Sequence, residues 1–331
     1  MKAGEPADRE TIWLVSPVYY DVESYLMLRQ RARDCLAQLP TSDVRFVAVD
    51  DTAGADVAVR SLETLPDQIV VTPPYPLGHQ RALVFGLRRL STMLRDSDVV
   101  VTLDADGEDR PEDLSRLVAP LHETGASLRT VVVAARTRRR ESLSFKIFYF
   151  FFKLFFQMLS GTIIRSGNYA AYRGWLTRNV LFHPHFDLAY SSSLLALGLN
   201  VHRVPCERGA RYAGASKMTY LKLIQHGLRM LMPFADRIAT RGLVLFSGLL
   251  GLGIPTAVGL FALRLSGAVH VAGWAIYAIG SVLLLLAVAA TCMLIVFALF
   301  VQTQGLSLAK LDSGLRDTEH DRATERSYQA L

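Results

Sequence analysis

Two aspartates stand two residues apart where an apolar run stops. Val99-Val100-Val101-Thr102-Leu103 leads directly into Asp104-Ala105-Asp106-Gly107-Glu108-Asp109. In an extended chain, residues i and i+2 lie on one side, so the two carboxylates face the same way. Like charges this close repel unless a cation or a proton sits between them. Such a pair can hold a divalent cation, Mg2+ or Mn2+, whose remaining positions take the phosphates of a substrate. Asp and Gly are also common turn residues, and a solvated acidic turn is the competing reading. The surroundings must decide.

The elements that position this pair are legible in the alternation around it. Val99 to Leu103 is β-branched and apolar throughout, as in a strand covered on both faces. Similar runs occur at 11–15, 44–49, 69–72 and 130–134. Helices are expected between them, over about 22–39, over 81–94, and from Pro111, where Glu112 and Asp113 suit a first turn. This alternation predicts an α/β fold with a mainly parallel sheet. Ligands of such sheets bind at the carboxyl ends of the strands. Three of those ends carry acids: Asp21 after the first strand, Asp50 and Asp51 after the second, Asp104 and Asp106 after the fourth. Three converging on one edge make a site. Neither Gly-x-x-x-x-Gly-Lys nor Gly-x-Gly-x-x-Gly follows the first strand, which disfavours a P-loop NTPase or a dinucleotide dehydrogenase. Phosphates must then be held by the cation and by arginines, which points to a nucleotide-diphosphate donor on Asp104 and Asp106.

The 331 residues are 51% hydrophobic, with a mean hydropathy of +0.25. The apolar surplus is uneven. Residues 1–140 resemble ordinary soluble α/β sequence, whereas 242–263 and 271–301 carry no charge. Each reaches the roughly 20 residues that a bilayer crossing needs. With a short connection between them, they read as a transmembrane hairpin rather than as two buried core helices. Arg229, Arg237 and Arg241 precede the first run, Lys310 and Arg316 follow the second, and the connection holds only Arg264. The positive-inside bias therefore places both termini and the N-terminal domain in the cytoplasm. The 11–15 run is too short for a secretory signal. Cys35, Cys206 and Cys292 are scattered and form neither a disulfide framework nor a zinc motif.

Net charge is +6, and Arg136, Arg138, Arg139 and Arg140 cluster just before an aromatic stretch at 145–159. That stretch contains Lys146 and Lys153 and is too short to span a bilayer. An amphipathic helix over about 143–159, lying at the headgroup plane, is expected instead. Aromatics this dense favour lipid over nucleic acid as the partner of the basic run.

Taken in order, these residues resemble a family 2 glycosyltransferase with a GT-A fold, of the polyprenyl-phosphate type that includes dolichol-phosphate mannose synthase. Pro17-Val18-Tyr19-Tyr20-Asp21 stands where that family has Pro-Val-Tyr-Asn-Glu, and Val49-Asp50-Asp51 at its Asp-Asp-Gly-Ser turn. Leu77 to Leu83 is similar to its Asn-x-Gly-x-x-x-Ala-Leu stretch, and Asp104 to Glu112 to its Asp-Ala-Asp-Leu-Gln-x-x-Pro-Glu motif. Gly167-Asn168-Tyr169 falls at its Gly-Asp-aromatic step, and Arg211 to Lys217 at its Arg-x-x-Gly-x-Ser-Lys. Four departures stand out. Tyr20 replaces asparagine, the 50–53 turn lacks its glycine, Glu108 replaces an amide, and Asn168 replaces a carboxylate.

The resemblance implies a GT-A domain over 1–230, a two-span membrane domain over 231–305 and a polar tail over 306–331. It implies that Pro17, Tyr19, Asp21, Asp50, Asp51, His79, Gln80 and Asp104 contact a UDP- or GDP-linked sugar. Asp104, Asp106 and Glu108 would hold Mg2+ or Mn2+. Arg136, Arg139, Arg211, Ser216 and Lys217 would grip phosphate groups of donor or acceptor. The implied reaction is inverting transfer to a polyprenyl phosphate, with Asp104, Asp106 and Arg211 carrying the catalysis. The partners implied are the nucleotide-sugar, the lipid phosphate and the membrane, with a homo-oligomer also compatible. Transfer to a growing glycan, phosphotransfer, and a non-catalytic nucleotide-sugar-binding membrane protein are the alternatives. A processive synthase would carry Gln-x-x-Arg-Trp, which the chain lacks.

Overall fold

The computed structural model describes residues 10–37, 42–136, 143–163, 166–213, 220–267 and 273–304. Arg139, Ser216, Lys217 and the 306–331 tail lie outside the described residues. Seven strands form one sheet: β1 (Glu10–Val18), β2 (Ser42–Asp50), β3 (Gln68–Val71), β4 (Val99–Thr102), β5 (Thr130–Arg136), β6 (Ser166–Arg173) and β7 (Asn200–Cys206). Their order is β3-β2-β1-β4-β6-β5-β7. Neighbours are parallel, except that β6 runs antiparallel to both β4 and β5. The fold is α/β and GT-A-like, with a mixed, mostly parallel sheet.

Strand alternation divides the core into two layers. Ile12, Leu14, Val99 and Val101 face one side, where α1 (Val22–Leu36) and α3 (Leu114–Val118) bury Tyr25, Leu28, Leu117 and Val118. Trp13, Val15 and Val100 face the other, against α2 (His79–Leu90), α5 (Gly174–Asn179) and α6 (Tyr190–Ala196). Full burial of each large side chain stabilises by about 1.5–3 kcal/mol, so both layers fix the register of β1 and β4. The expected helix from Pro111 is broken into short turns: a 3-10 turn at Pro111–Asp113, α3, and a second turn at Ala119–Leu121. Helix α7 (Tyr220–Leu231) follows later in the chain.

The described residues pack as two units, one of 10–150 and 166–230, the other of 151–163 and 231–304. In the second unit, the C-terminal part of α4 (Leu143–Ser160) meets the start of α8 (Ala235–Leu265). Phe156 packs edge-on to Phe234, with ring centroids 5.7 Å apart. Arg241 donates to the Met158 carbonyl at 2.6 Å, satisfying a carbonyl that has no partner within the helix. Helices α8 and α9 (Trp274–Gln304) are long and apolar enough to cross a membrane. Leu245, Leu252 and Val258 of α8 and Leu284 and Leu294 of α9 are exposed. Such faces suit lipid rather than water.

Candidate active site

Register explains why distant residues meet. Val18 of β1 stands opposite Asp50 of β2, and Val15 of β1 opposite Thr102 of β4. In the antiparallel pair, Thr102 stands opposite Ala170. Continuing that register by two residues brings Asp104 level with Asn168. The parallel strands therefore end, and the reversed strand begins, on the same edge. Arg136 at the end of β5 pairs with Cys206 at the end of β7, and the chain beyond β7 turns back over the acidic loop. The Gly209 N–H donates to the Glu108 carbonyl and the Tyr212 N–H to the Asp106 carbonyl, both at 2.9 Å. Gly107 has φ +87°, and a Cβ there would lie 2.7 Å from the Tyr212 ring. The two loops thus form a closely laced pair.

Each acid on this edge has a defined neighbour. Asp104 Oδ1 meets His79 Nε2 at 2.8 Å and accepts from Asn168 Nδ2 at 3.2 Å. Its backbone N–H donates to Asp109 Oδ2 at 3.0 Å. Burial pushes the Asp104 carboxyl up, but the His79 pairing, the Arg136 charge and the Asn168 bond outweigh it and hold the group below the usual carboxylate range. Partial desolvation lowers His79, but the Asp104 pairing outweighs it, raises the group and favours the imidazolium. Asp109, 3% exposed, accepts from Arg136 Nη2 at 3.1 Å. Burial, then the Asp104 charge, push its carboxyl up to about 7 despite that arginine. Asp106 Oδ1 accepts from the Glu108 N–H at 3.0 Å, and its Oδ2 lies 2.8 Å from Arg211 Nη2. Burial and the nearby Asp104 charge raise it.

Both carboxylate oxygens of Glu108, expected as a metal ligand, are paired with arginines in this structure. Its Oε1 accepts from Arg211 Nε and its Oε2 from Arg208 Nε, each at 3.0 Å, and Arg208 Nη2 also reaches Oε2. Among the described residues, no three His, Cys, Asp or Glu side chains converge in ligating range. Asp104 and Asp106 alone still fit Mg2+ or Mn2+. Magnesium is commonly held by one or two carboxylates while water and substrate phosphates complete the shell. Burial raises Asp106 most, and the Asp104 charge that adds to it is the repulsion a cation would relieve.

The remaining expected residues fall as follows. Asp51 Oδ1 accepts from the Leu77 and Gly78 N–H groups at 2.8 and 2.9 Å, fixing the loop that delivers His79 and Gln80. Gln80 donates to Asn168 Oδ1 at 3.2 Å and accepts from the Tyr190 N–H at 2.9 Å. Asp50 is turned into its own loop, where it accepts from Thr52 N–H and Gly54 N–H at 3.0 and 2.8 Å. Pro17 lies in β1, while Tyr19 and Tyr20 stack edge-on, 47% and 53% exposed, just before Asp21 at the start of α1. Tyr20 has φ +51°, a left-handed conformation uncommon for a bulky residue. Sequence reasoning missed Asp109, the Gln80–Asn168 pair and Arg208. The one local signal for Asp109 was its place beside an Asp-x-Asp pair.

Comparison with known proteins sets this site in context. The chain is 28% identical over 134 residues to an undecaprenyl-phosphate 4-deoxy-4-formamido-L-arabinose transferase of Photorhabdus laumondii, covering 39% of this chain and 38% of that one. It is 27% identical over 220 residues to the transferase of the same name from Yersinia enterocolitica, covering 64% and 63%. It therefore spans less than two thirds of these relatives. A mannosyltransferase from Pyrobaculum calidifontis, solved with GDP-Man and Mn2+, superposes with a TM-score of 0.38 and 17% identity over 91% of this chain and 89% of that one. The model of Glycosyl transferase family 2 matches residues 14–179. That half of the chain carries β2 to β6 and the whole acidic loop, and the protein belongs to glycosyl transferase family 2.

Proposed function

We propose that this protein transfers a sugar, with inversion, from a UDP- or GDP-linked donor to a polyprenyl phosphate at the cytoplasmic face of a membrane. The observation that carries this reading is the character of the edge where Asp104 meets Asn168. Asn168 offers an amide to Asp104, and Gln80 holds it there, so this position supplies no carboxylate base. An acceptor hydroxyl would need deprotonation in the transition state. A phosphate monoester does not, because its second pKa of about 6 leaves it mostly ionised near neutral pH. The acceptor class that suits the site is thus one that brings its own charge.

Asp104 and Asp106 are the residues that would hold Mg2+ or Mn2+, and the bound metal would neutralise charge on the departing diphosphate. Arg136 and Arg211, with Arg139, Ser216 and Lys217, supply guanidinium, hydroxyl and ammonium donors for phosphate oxygens. Their positive field lets two anions, diphosphate and lipid phosphate, approach each other. Asp21, Asp51 and the Tyr19–Tyr20 pair flank the same edge and suit the nucleoside. The aromatic helix α4 and the two apolar helices would keep the catalytic domain, residues 1–230, at the plane where a lipid phosphate lies. Arg229, Arg237 and Arg241, before the uncharged run 242–263, favour a cytoplasmic location for both termini.

The test incubates membranes containing the protein with radiolabelled UDP- and GDP-sugars, polyprenyl phosphate and Mn2+. Label should move from one donor into the lipid fraction. No transfer to lipid from any donor would refute the reading.

A further inference from the structure

The arginines beyond β7 and the acids beyond β4 are interlocked in a way that a simple metal-ligand role for Glu108 does not explain. Glu108 is only 12% exposed, and its two oxygens take Arg211 and Arg208 separately. Arg211 is a fork: its Nε stays on Glu108 while its Nη2 sits 2.8 Å from Asp106 Oδ2. Backbone bonds from Gly209 and Tyr212 hold the two loops in that register. Asp106, Glu108, Arg208 and Arg211 balance to zero charge. A divalent cation arriving at Asp106 meets a seat already taken by a guanidinium.

We propose that Arg211 is an exchangeable counter-ion on Asp106 and that Glu108 is the positioning residue that keeps it, with Arg208, at the site when a metal displaces it. In the unliganded protein the guanidinium neutralises Asp106. A metal held by that carboxylate would free the Arg211 Nη groups, while the Glu108 bond would keep its Nε in place. The released Nη groups would then be free to bind phosphate oxygens bidentately. Glu108 therefore anchors phosphate-binding cations rather than ligating metal. The inference rests on the metal-dependent transferase reading above.

The test uses Mn2+ alone, titrated into the full-length protein in detergent, with unbound ion read by electron spin resonance and no donor present. Arg211→Gln should tighten Mn2+ by about tenfold, because a charge-assisted bond no longer has to be broken. Arg208→Gln, which removes a contact to Glu108, and Glu108→Gln should each shift Mn2+ affinity by less than about threefold. Addition of inorganic pyrophosphate separates anchoring from ligation: Glu108→Gln should bind Mn2+ with pyrophosphate about tenfold more weakly than the unaltered protein. Should Arg211→Gln fail to fold, Arg211→Lys, which keeps the charge but loses the fork, should give a smaller gain of the same sign.

Loss of Mn2+ affinity by about tenfold or more in Glu108→Gln would make Glu108 a ligand and overturn the proposal. So would an unchanged affinity in Arg211→Gln, an equal gain from Arg208→Gln, or no Mn2+ uptake by any form. Sugar transfer measured in parallel distinguishes the two readings. Transfer without the Arg211 effect sinks this inference alone, whereas the Arg211 effect without transfer sinks the transferase reading alone.

Discussion

Replacing Gly209 with alanine should separate the two laced loops. An ideal Cβ at this position would lie 2.3 Å from the Gly107 carbonyl oxygen and 3.1 Å from Arg110 Cγ. Carbon and carbonyl oxygen settle at roughly 3.3 Å or more, so one loop must retreat by about 1 Å. The oxygen is backbone, and Gly107 is itself held against Tyr212, so no flexible side chain can absorb that shift. The same movement stretches the 2.9 Å bonds that Gly209 and Tyr212 donate. Overpacking costs about 1–3 kcal/mol, and each lost bond adds about 0.5–1.5 kcal/mol. Local relaxation keeps the total near 2–4 kcal/mol. The larger effect falls on function, since a displacement of about 1 Å in a positioned group can lower rate by about 100-fold. Thermal unfolding of purified protein and transfer of labelled sugar to lipid phosphate measure the two effects. Gly125→Ala is the control: its φ is +87° with no atom within 4 Å of the added Cβ. It should cost about 1–2 kcal/mol of stability and no activity. Transfer by Gly209→Ala within about threefold of the unaltered protein would refute the reasoning, as would an equal loss in Gly125→Ala.

Three further outcomes are expected. Asp106→Ala should reduce transfer by about 100-fold or more, whereas Asn168→Ala should retain activity within about tenfold, measured as initial rates on the same donor. The reverse pattern would mean that the reaction centre lies elsewhere. Asp109→Ala leaves the Arg136 guanidinium without its buried partner and the Asp104 N–H without an acceptor. It should destabilise by about 3–5 kcal/mol, seen as an earlier denaturation midpoint. Cys206 is buried, and burial together with Asp113 pushes its thiol up to about 12. It should resist maleimide at pH 8 in the folded protein and react once unfolded, read by mass spectrometry.

Strands that announce themselves by β-branched residues were legible, and those that do not were missed. The expected 99–103, 44–49, 69–72 and 130–134 runs correspond to β4, β2, β3 and β5, each within a few residues. β6 escaped because its buried centre, Tyr169-Ala170-Ala171-Tyr172, is two alanines between two tyrosines and contains no β-branched residue. β7 escaped because the adjacent His202 and Arg203 and then Pro205 interrupt its apolar residues, although an edge strand tolerates all three. Without β6, the sheet reads as parallel, and Asn168 cannot be placed opposite Asp104. The acidic pair itself was visible because its chemistry is local to three residues. Its partners were not. Glu108 meets Arg208 and Arg211 across about a hundred residues of sequence, pairings that only tertiary packing creates. Asp50 shows the same limit: the bonds its carboxylate accepts from the Thr52 and Gly54 N–H groups depend on how its own loop folds.

The reversed strand also leaves the sheet incomplete during part of the protein's synthesis. β4 leaves the ribosome long before β6, and until β6 arrives one side of Val99–Thr102 has unpaired N–H and C=O groups. A short, uncharged, valine-rich strand with an open side is prone to pair with other chains. The aromatic helix α4 is synthesised inside that same interval, so the nascent chain shows its stickiest surfaces together. The loop that laces over the acids is translated later still, only shortly before α8. Catalytic competence and the first membrane-length segment therefore emerge almost in the same stretch of synthesis. A chain stalled before that stretch is an incomplete sheet with an unguarded edge.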